Sequence, residues 1–271
     1  MAADPAAASP SLPFTSLNNA APSSILLIHG AFTDRDDWEH VAPHLATYHL
    51  LLPDLPAHGH ATHILPYGRA LSAQLLANLI RSHAKNGRAR IIGLSLGAFV
   101  AVELASNHPD VVDEMFVSGL KVMPEALRGG VAAYGLWISQ RVESCVPLPL
   151  VRWAMDGADI KRPNLATVTL PLCQSMLASI TADSPDGEWA QPWAARTCII
   201  SAGKAGIVPS ADHPEDARKY REIGRKGNAE TTAFTHPLMR HPWSRQDPAL
   251  FARAAMCWFD REALPAGFVE L

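Results

Sequence analysis

A mostly parallel, doubly wound α/β sheet, with a helical cap inserted between core strands, is the fold this sequence predicts. Three observations carry that expectation. Short, continuously apolar runs recur along the chain, as strands buried on both faces read. Segments with helical spacing separate them, so consecutive strands cross over and lie parallel. The alternation fails in one place, between about residues 121 and 192, where helical sequence punctuated by Pro and Gly takes over.

The elements follow in order. Residues 1–23 are rich in Ala, Pro and Ser and read as a flexible leader, without the basic and apolar regions of a signal peptide. "SSILLIHG" is a first buried strand ending at Gly30, and "DDWEHVAPHLA" sets Trp38, Val41 and Leu45 on one helical side. "YHLLLPDLPAHGHA" is a second strand that breaks at Pro53, and "YGRALSAQLLANLIRSHAKNG" is an amphipathic helix with a Gly stop. "RARIIGLSLGAFVAVELASNHP" reads as strand, tight turn and helix. "VDEMFVSGL", "RTCIISAG" and "AETTAFTH" are further strands, and "PALFARAAMCWFDREAL" closes as a helix. The core is thus expected over 24–120 and 193–271, with the cap over 121–192.

Composition narrows the classes. A chain of 271 residues, 48% hydrophobic, can bury one large core. A net charge of −3 gives no basic field for nucleic acid or an anionic membrane. The longest apolar run, "IIGLSLGAFVAVELA", falls short of the ~20 residues that span a bilayer and is broken by Ser95 and Glu103. A cytoplasmic protein is the default expectation. Cys145, Cys173, Cys198 and Cys257 are scattered without a C-x-x-C pair and read as buried free thiols.

The chemistry concentrates in three segments. "GLSLG", Gly93 to Gly97, is a G-x-S-x-G motif between a strand and a helix. Small flanking residues allow a strained turn that projects the Ser95 hydroxyl, and the following helix aims its N-terminal dipole at the site. "HGAFTDRDDW" supplies a turn whose backbone N–H, at Ala31 or Phe32, pairs with that of Leu96 as an oxyanion hole. "HPLMRHPWSRQDP" places His241 after the last strand, in the required order after Ser95, with His236 as a competitor at the strand end.

The chain resembles the α/β-hydrolase superfamily, of the capped, single-domain kind. "LLIHGAFTDRDDW", "LLPDLPAHGHA", "IIGLSLGAFVAVELASNHP" and "MRHPWSRQDPALFARAAMCWF" each match a family segment, in the family's order. The resemblance implies Ser95 as nucleophile and His241 as general base and acid, with no cofactor and no metal. It also makes His58, His60 and His63 part of an ordinary loop rather than a metal cluster.

One position departs from the family pattern. The usual acid lies three residues after the glycine matching Gly203, and there the chain has Gly206. The alternative family position, after the strand preceding the cap, offers no carboxylate before Glu125. Asp212 and Asp216 are displaced candidates near the start of the next helix, where Ser210 or Asp212 could equally be a plain N-cap. Asp212 is the first candidate for the acid, ahead of Asp216 and Glu125, and a chain with no acid at all is the standing alternative. Losing the acid costs roughly 10⁴-fold in a serine protease. A chain with a doubtful acid therefore points first to a serine-dependent esterase or thioesterase on a small apolar acyl compound. A second reading is a proton-transfer enzyme using Ser95 and His241 on a natural-product intermediate, by dehydration, aldol-type condensation or cyclisation. A third is a receptor-like ligand-binding protein. In the cap, Trp137, Trp153, Met155 and Met176, with Trp189 and Trp193, are expected to line an apolar pocket. Arg152, Lys161 and Arg162 are alternative partners for a carboxylate or carrier phosphate.

Overall fold

The computed structural model describes residues 11–123, 130–181, 190–205 and 210–271. One eight-stranded sheet organises them, in the order β1-β3-β2-β4-β5-β6-β7-β8. The strands are β1 Phe14–Leu17, β2 Ser24–Ile28, β3 His49–Pro53, β4 Ala89–Leu94, β5 Val112–Ser118, β6 Arg196–Ala202, β7 Thr232–His236 and β8 Val269–Glu270. The six inner strands run parallel, and β1 and β8 lie antiparallel at the two edges. Every residue of β2, β3 and β6 is buried, which is why these segments are apolar without alternation.

Two expectations change here. The segment expected as leader contains β1, whose residues pair with Leu50–Pro53 of β3. Thr15 and Ser16 mask its apolar signal, because an edge strand does not need two buried faces. The helix expected over "DDWEHVAPHLA" is two short 3₁₀ turns, Arg35–Trp38 and Ala42–Leu45. Trp38, Val41 and Leu45 are nevertheless all fully buried, as their spacing required.

Helices α1 Arg69–His83, α2 Leu96–Asn107 and α6 Pro214–Arg225 contribute to one core, and α8 Pro248–Phe259 to the other. Trp38, Trp243, Phe116 and Phe251 form the aromatic centre of the second core, with Trp243 and Phe251 ring centroids 4.5 Å apart. A short helix, α7 Trp243–Gln246, precedes α8. Asp247 caps α8 by accepting the Leu250 N–H at 2.9 Å, with Pro248 preset at its first turn. Within the segment expected as the cap, the described helices are α3 Gly130–Cys145, α4 Leu148–Ala154 and α5 Leu170–Ile180. Of the four thiols, Cys173 and Cys198 are buried, Cys257 is half-buried and Cys145 is exposed, which corrects the expectation of four buried ones.

Candidate active site

The carboxyl ends of β2, β4, β5, β6 and β7 open onto one side of the sheet, where connecting loops can converge without disturbing the core. Ser95 joins β4 to α2 with φ of 54° and ψ of −119°, a conformation a non-glycine residue holds only under constraint. The constraint is steric. A Cβ on Gly97 would lie 2.1 Å from the Ile28 carbonyl, and one on Gly93 would lie 2.6 Å from the Gly97 carbonyl. Both flanks must therefore be glycine for the turn to close, and the Ser95 N–H is tied to the Ser118 carbonyl at 2.8 Å.

The loop after β2 packs beside this turn. Ala31 shares the Ser95 cleft, while Phe32, at φ of 61°, lines the adjoining cavity. Leu96 is the first residue of α2, so its N–H has no acceptor within the helix. Two buried side chains fix the loop from behind. The Leu55 N–H donates to His29 Nε2 at 3.0 Å, so the ring proton sits on Nδ1 and is donated to the Gly30 carbonyl at 2.8 Å. Burial holds the pKa of His29 down, which keeps the imidazole neutral for both bonds. Asp54 accepts the Arg35 N–H and the His60 N–H, each at 2.9 Å, and pairs with the Arg35 guanidinium at 2.8 Å. Burial alone would raise its pKa. The two backbone donors and the guanidinium outweigh that and hold it below the usual value. A Cβ on Gly59, at φ of 48°, would lie 2.5 Å from the Asp54 carboxyl carbon, so the carboxylate fills the space that glycine leaves.

His241 and Asp212 meet across the loops after β7 and β6. His241 Nδ1 lies 2.6 Å from Asp212 Oδ1. A carboxylate only accepts, so Nδ1 carries the proton and Nε2 keeps its lone pair. Asp212 is not a helix cap. Its Oδ2 accepts the Ala202 N–H at 2.9 Å, its own N–H donates back to the Ala202 carbonyl at 2.8 Å, and the cap position of α6 falls on His213. Burial lowers the His241 pKa, but the charge and hydrogen bond of Asp212 prevail and raise it, with Lys121 opposing. Gly119, at φ of 81°, makes room for the ring, since a Cβ there would lie 2.6 Å from His241 Cε1 and 3.4 Å from the Ser95 nitrogen. Trp243 anchors the same loop from below, its indole N–H donating to Ser118 Oγ at 2.8 Å.

Ser95 and His241 thus line one cleft of about 150 Å³ with Ala31, Ile160 and Arg245. It shares Thr33, Asp37 and Lys161 with a neighbouring cavity of about 230 Å³ that reaches His58, Arg162 and Leu172. The expected apolar lining is not brought together here. Trp153 is 70% exposed, Trp137 lies under the Arg141 guanidinium at 3.6 Å, and Met155 and Met176 are buried. Trp193 is core, its N–H on Thr197, and Trp189 lies outside the described residues. Of the basic candidates, Lys161 and Arg162 border the cavities, whereas Arg152 pairs with Asp159.

Other candidates fall elsewhere. His236 is buried against Phe268, with ring centroids 4.8 Å apart, and its Nδ1 accepts the Leu238 N–H. Asp216 lies in the first turn of α6, its pKa raised by burial. Glu125 and Gly206 lie outside the described residues. His58 is buried with its pKa pushed down to about 3 by desolvation, His60 pairs with Asp54, and His63 is exposed. Among the described residues, Glu39, His40 and Asp159 form the one group spaced for a metal. Their charges already meet Lys161 at 2.9 Å and Arg245 at 2.7 Å on Glu39, and Arg152 on Asp159, so the group reads as an ionic network. Sequence reasoning missed His29, Asp54, Gly119 and Trp243 as supports. The one legible trace was Gly119, a glycine ending the "VDEMFVSGL" strand.

Known proteins share this construction. The family model for the alpha/beta hydrolase fold matches residues 24–156. An AB hydrolase superfamily protein of Gibberella zeae is 34% identical over 257 residues, covering 94% of this chain and 86% of that one. The pimeloyl-[acyl-carrier protein] methyl ester esterase of Neisseria meningitidis is 38% identical over 93 residues, a stretch covering 34% of each chain. An alpha/beta hydrolase enzyme from a Medee basin deep-sea metagenome library has the same fold, with a TM-score of 0.69 at 18% identity over 94% of this chain and 96% of that one. With the Ser95 turn, the strand order and a relative matched over 94% of this chain and 86% of its own length, this chain belongs to the alpha/beta hydrolase superfamily.

Proposed function

We propose that the protein is a serine-dependent hydrolase of a carboxylic ester or thioester with a small acyl group. The observation that carries this reading is the 2.6 Å contact between His241 Nδ1 and Asp212 Oδ1. It supports Asp212 as the orienting carboxylate, whose doubtful place in the sequence kept a proton-transfer reading beside the hydrolytic one.

In this mechanism His241 Nε2 takes the Ser95 Oγ proton as the oxygen attacks the acyl carbon, and Asp212 stabilises the imidazolium that forms. The developing oxyanion is held by the Leu96 N–H and an N–H of Ala31 or Phe32. His241 then protonates the leaving alcohol or thiol. A water deprotonated by the same nitrogen releases the acid and restores Ser95. The charged side chains beside the cleft favour a substrate with a polar portion over the wholly apolar one first expected. The esterase named among the relatives supports ester hydrolysis, although its match spans 34% of this chain.

Treatment with a fluorophosphonate, followed by intact mass, tests the reading. Rapid single labelling of the wild type, absent from Ser95→Ala, is the expected result. A wild type left unlabelled over hours would sink the acyl-enzyme mechanism and return attention to proton transfer or ligand binding.

A further inference from the structure

Asp156, a residue of the segment expected as the cap, touches both loops of the candidate acid–base pair. It lies just beyond α4, at φ of 55°, and is followed by Gly157 at φ of 79°. One carboxylate oxygen meets Lys204 Nζ at 2.9 Å, and the other accepts from Arg240 Nε. Lys204 opens the connection from β6 that leads to Asp212, and Arg240 immediately precedes His241. The two loops are also laced by their backbones. The Lys204 N–H donates to the Met239 carbonyl at 2.9 Å, and the His241 N–H to the Ser210 carbonyl at 2.8 Å. Arg240 donates to Ser210 Oγ at 3.2 Å.

Charge explains why a carboxylate belongs at this point. Arg240 is 6% exposed, and among the described residues its carboxylate partner is Asp156. A buried guanidinium without a counter-charge is strongly destabilising, and two cations gathered on one carboxyl repel once it is removed. Lys204 first, then Arg240, hold the Asp156 carboxyl below its usual pKa, so it remains ionised wherever His241 can act as a base. The neighbouring cap side chains pair with other groups. Asp159 pairs with His40 at 3.0 Å and Lys161 with Glu39, not with Lys204 or Arg240, and the Asp159 N–H that donates to the Arg245 carbonyl is backbone, so Asp159→Asn keeps it.

We infer that Asp156 is a positioning residue, which clamps Lys204 to Arg240 and thereby holds His241 in register with Asp212. This rests on the proposed role of that pair. Seating of this segment and competence of the base then become one event, since the carboxylate leaves both loops together.

The test compares Asp156→Asn, Asp156→Glu, Lys204→Gln and Asp159→Asn with wild type. Turnover of p-nitrophenyl acetate is followed across pH, alongside the downfield proton resonance of His241 Nδ1. For Asp156→Asn, kcat should fall about tenfold with KM nearly constant, since small misplacement of a reacting group costs one to two decades. The acidic limb of kcat/KM should move to lower pH as His241 loses part of the Asp212 field, and the downfield resonance should weaken. Asp156→Glu should recover part of each change. Lys204→Gln, which removes one arm and leaves the buried guanidinium paired, should fall between and carries the test if Asp156→Asn does not fold. Asp159→Asn should leave the limb in place. An unmoved limb and resonance in both Asp156→Asn and Lys204→Gln would overturn the inference, as would an equal shift in Asp159→Asn. If wild type neither turns over nor labels at Ser95, the proposed function fails. The Nδ1 resonance still decides the positioning role in that case.

Discussion

The two walls of the cleft are held by different chemistry. On the Ser95 side, the constraints are steric or run from buried side chains to backbone. Gly97 presses on the Ile28 carbonyl, His29 bridges Leu55 to Gly30, and Asp54 gathers the N–H groups of Arg35 and His60. On the His241 side, backbone bonds and the gap at Gly119 are joined by pairs of charged side chains, several of whose members remain partly open to water. The His241 ring is 34% exposed, and Asp156 and Lys204 are each 31% exposed. Steric and backbone constraints respond little to salt, whereas exposed ion pairs are screened by it. The Ser95 turn and the loop after β2 therefore form a fixed frame, and the proposed acid–base pair is the more adjustable partner.

The largest effect should come from the adjustable wall. Asp212→Asn puts an amide where His241 Nδ1–H now finds a carboxylate, and removes the charge that stabilises an imidazolium. A loss of about 10⁴-fold in kcat, about 5 kcal/mol of transition-state stabilisation, is expected. The pH profile provides an independent check. The raised His241 pKa places the wild-type acidic limb above the ordinary histidine value, with activity lost as pH falls through it. Without Asp212 the limb should move down. Stability runs the other way, because the protonated ring is favoured in the fold. Its contribution is complete below the unfolded-state pKa and fades as pH rises through the folded one. Retention of wild-type kcat by Asp212→Asn would break the comparison, because the charged wall would then do no chemical work.

The same contrast explains what the sequence disclosed. The succession of inner strands along the chain and the Ser95 turn were legible because buried parallel strands write themselves as apolar runs, and G-x-S-x-G holds its steric requirement within five residues. The carboxylate that meets His241 was less legible. Asp212 reaches His241 across 29 positions, and its neighbours also suit a helix cap, so only the fold shows that its carboxylate turns back to Ala202. Asp156 and Arg240 are 84 positions apart, beyond any local pattern. β1 escaped notice for another reason. An edge strand with Thr15 and Ser16 lacks the apolar run that marks the inner strands.

A smaller effect, on stability rather than chemistry, should come from the fixed wall. Asp54→Asn keeps the shape but turns an amide N–H toward groups that are themselves donors, and leaves the Arg35 guanidinium without its carboxylate. A loss of about 3 kcal/mol in urea unfolding at neutral pH is expected. Because the folded pKa of Asp54 is lowered, its stabilisation is present above the ordinary carboxyl value of 3.8 and disappears as pH falls through the folded one. The gap between wild type and variant should close in acid. A gap that persists unchanged there would mean that the frame depends on the shape of residue 54, not its charge.

The smallest expected effect lies where the two walls meet. Trp243 follows His241 by two residues, yet its indole N–H bonds Ser118, whose carbonyl also holds the Ser95 N–H. Trp243→Phe removes that bond and some core volume, and Ser118 Oγ keeps its own donation to the Ile200 carbonyl at 3.3 Å. The cost should be about 1–2 kcal/mol by urea unfolding. The kinetic readout separates the alternatives. If the base loop is governed by its ion pairs, kcat should change less than about threefold and the acidic limb should stay in place. A fall in kcat of tenfold or more, with the limb displaced, would show that His241 is set from the core beneath it. In that event the charged wall would be less adjustable than its exposed ion pairs imply, and salt should alter turnover no more than it alters labelling of Ser95.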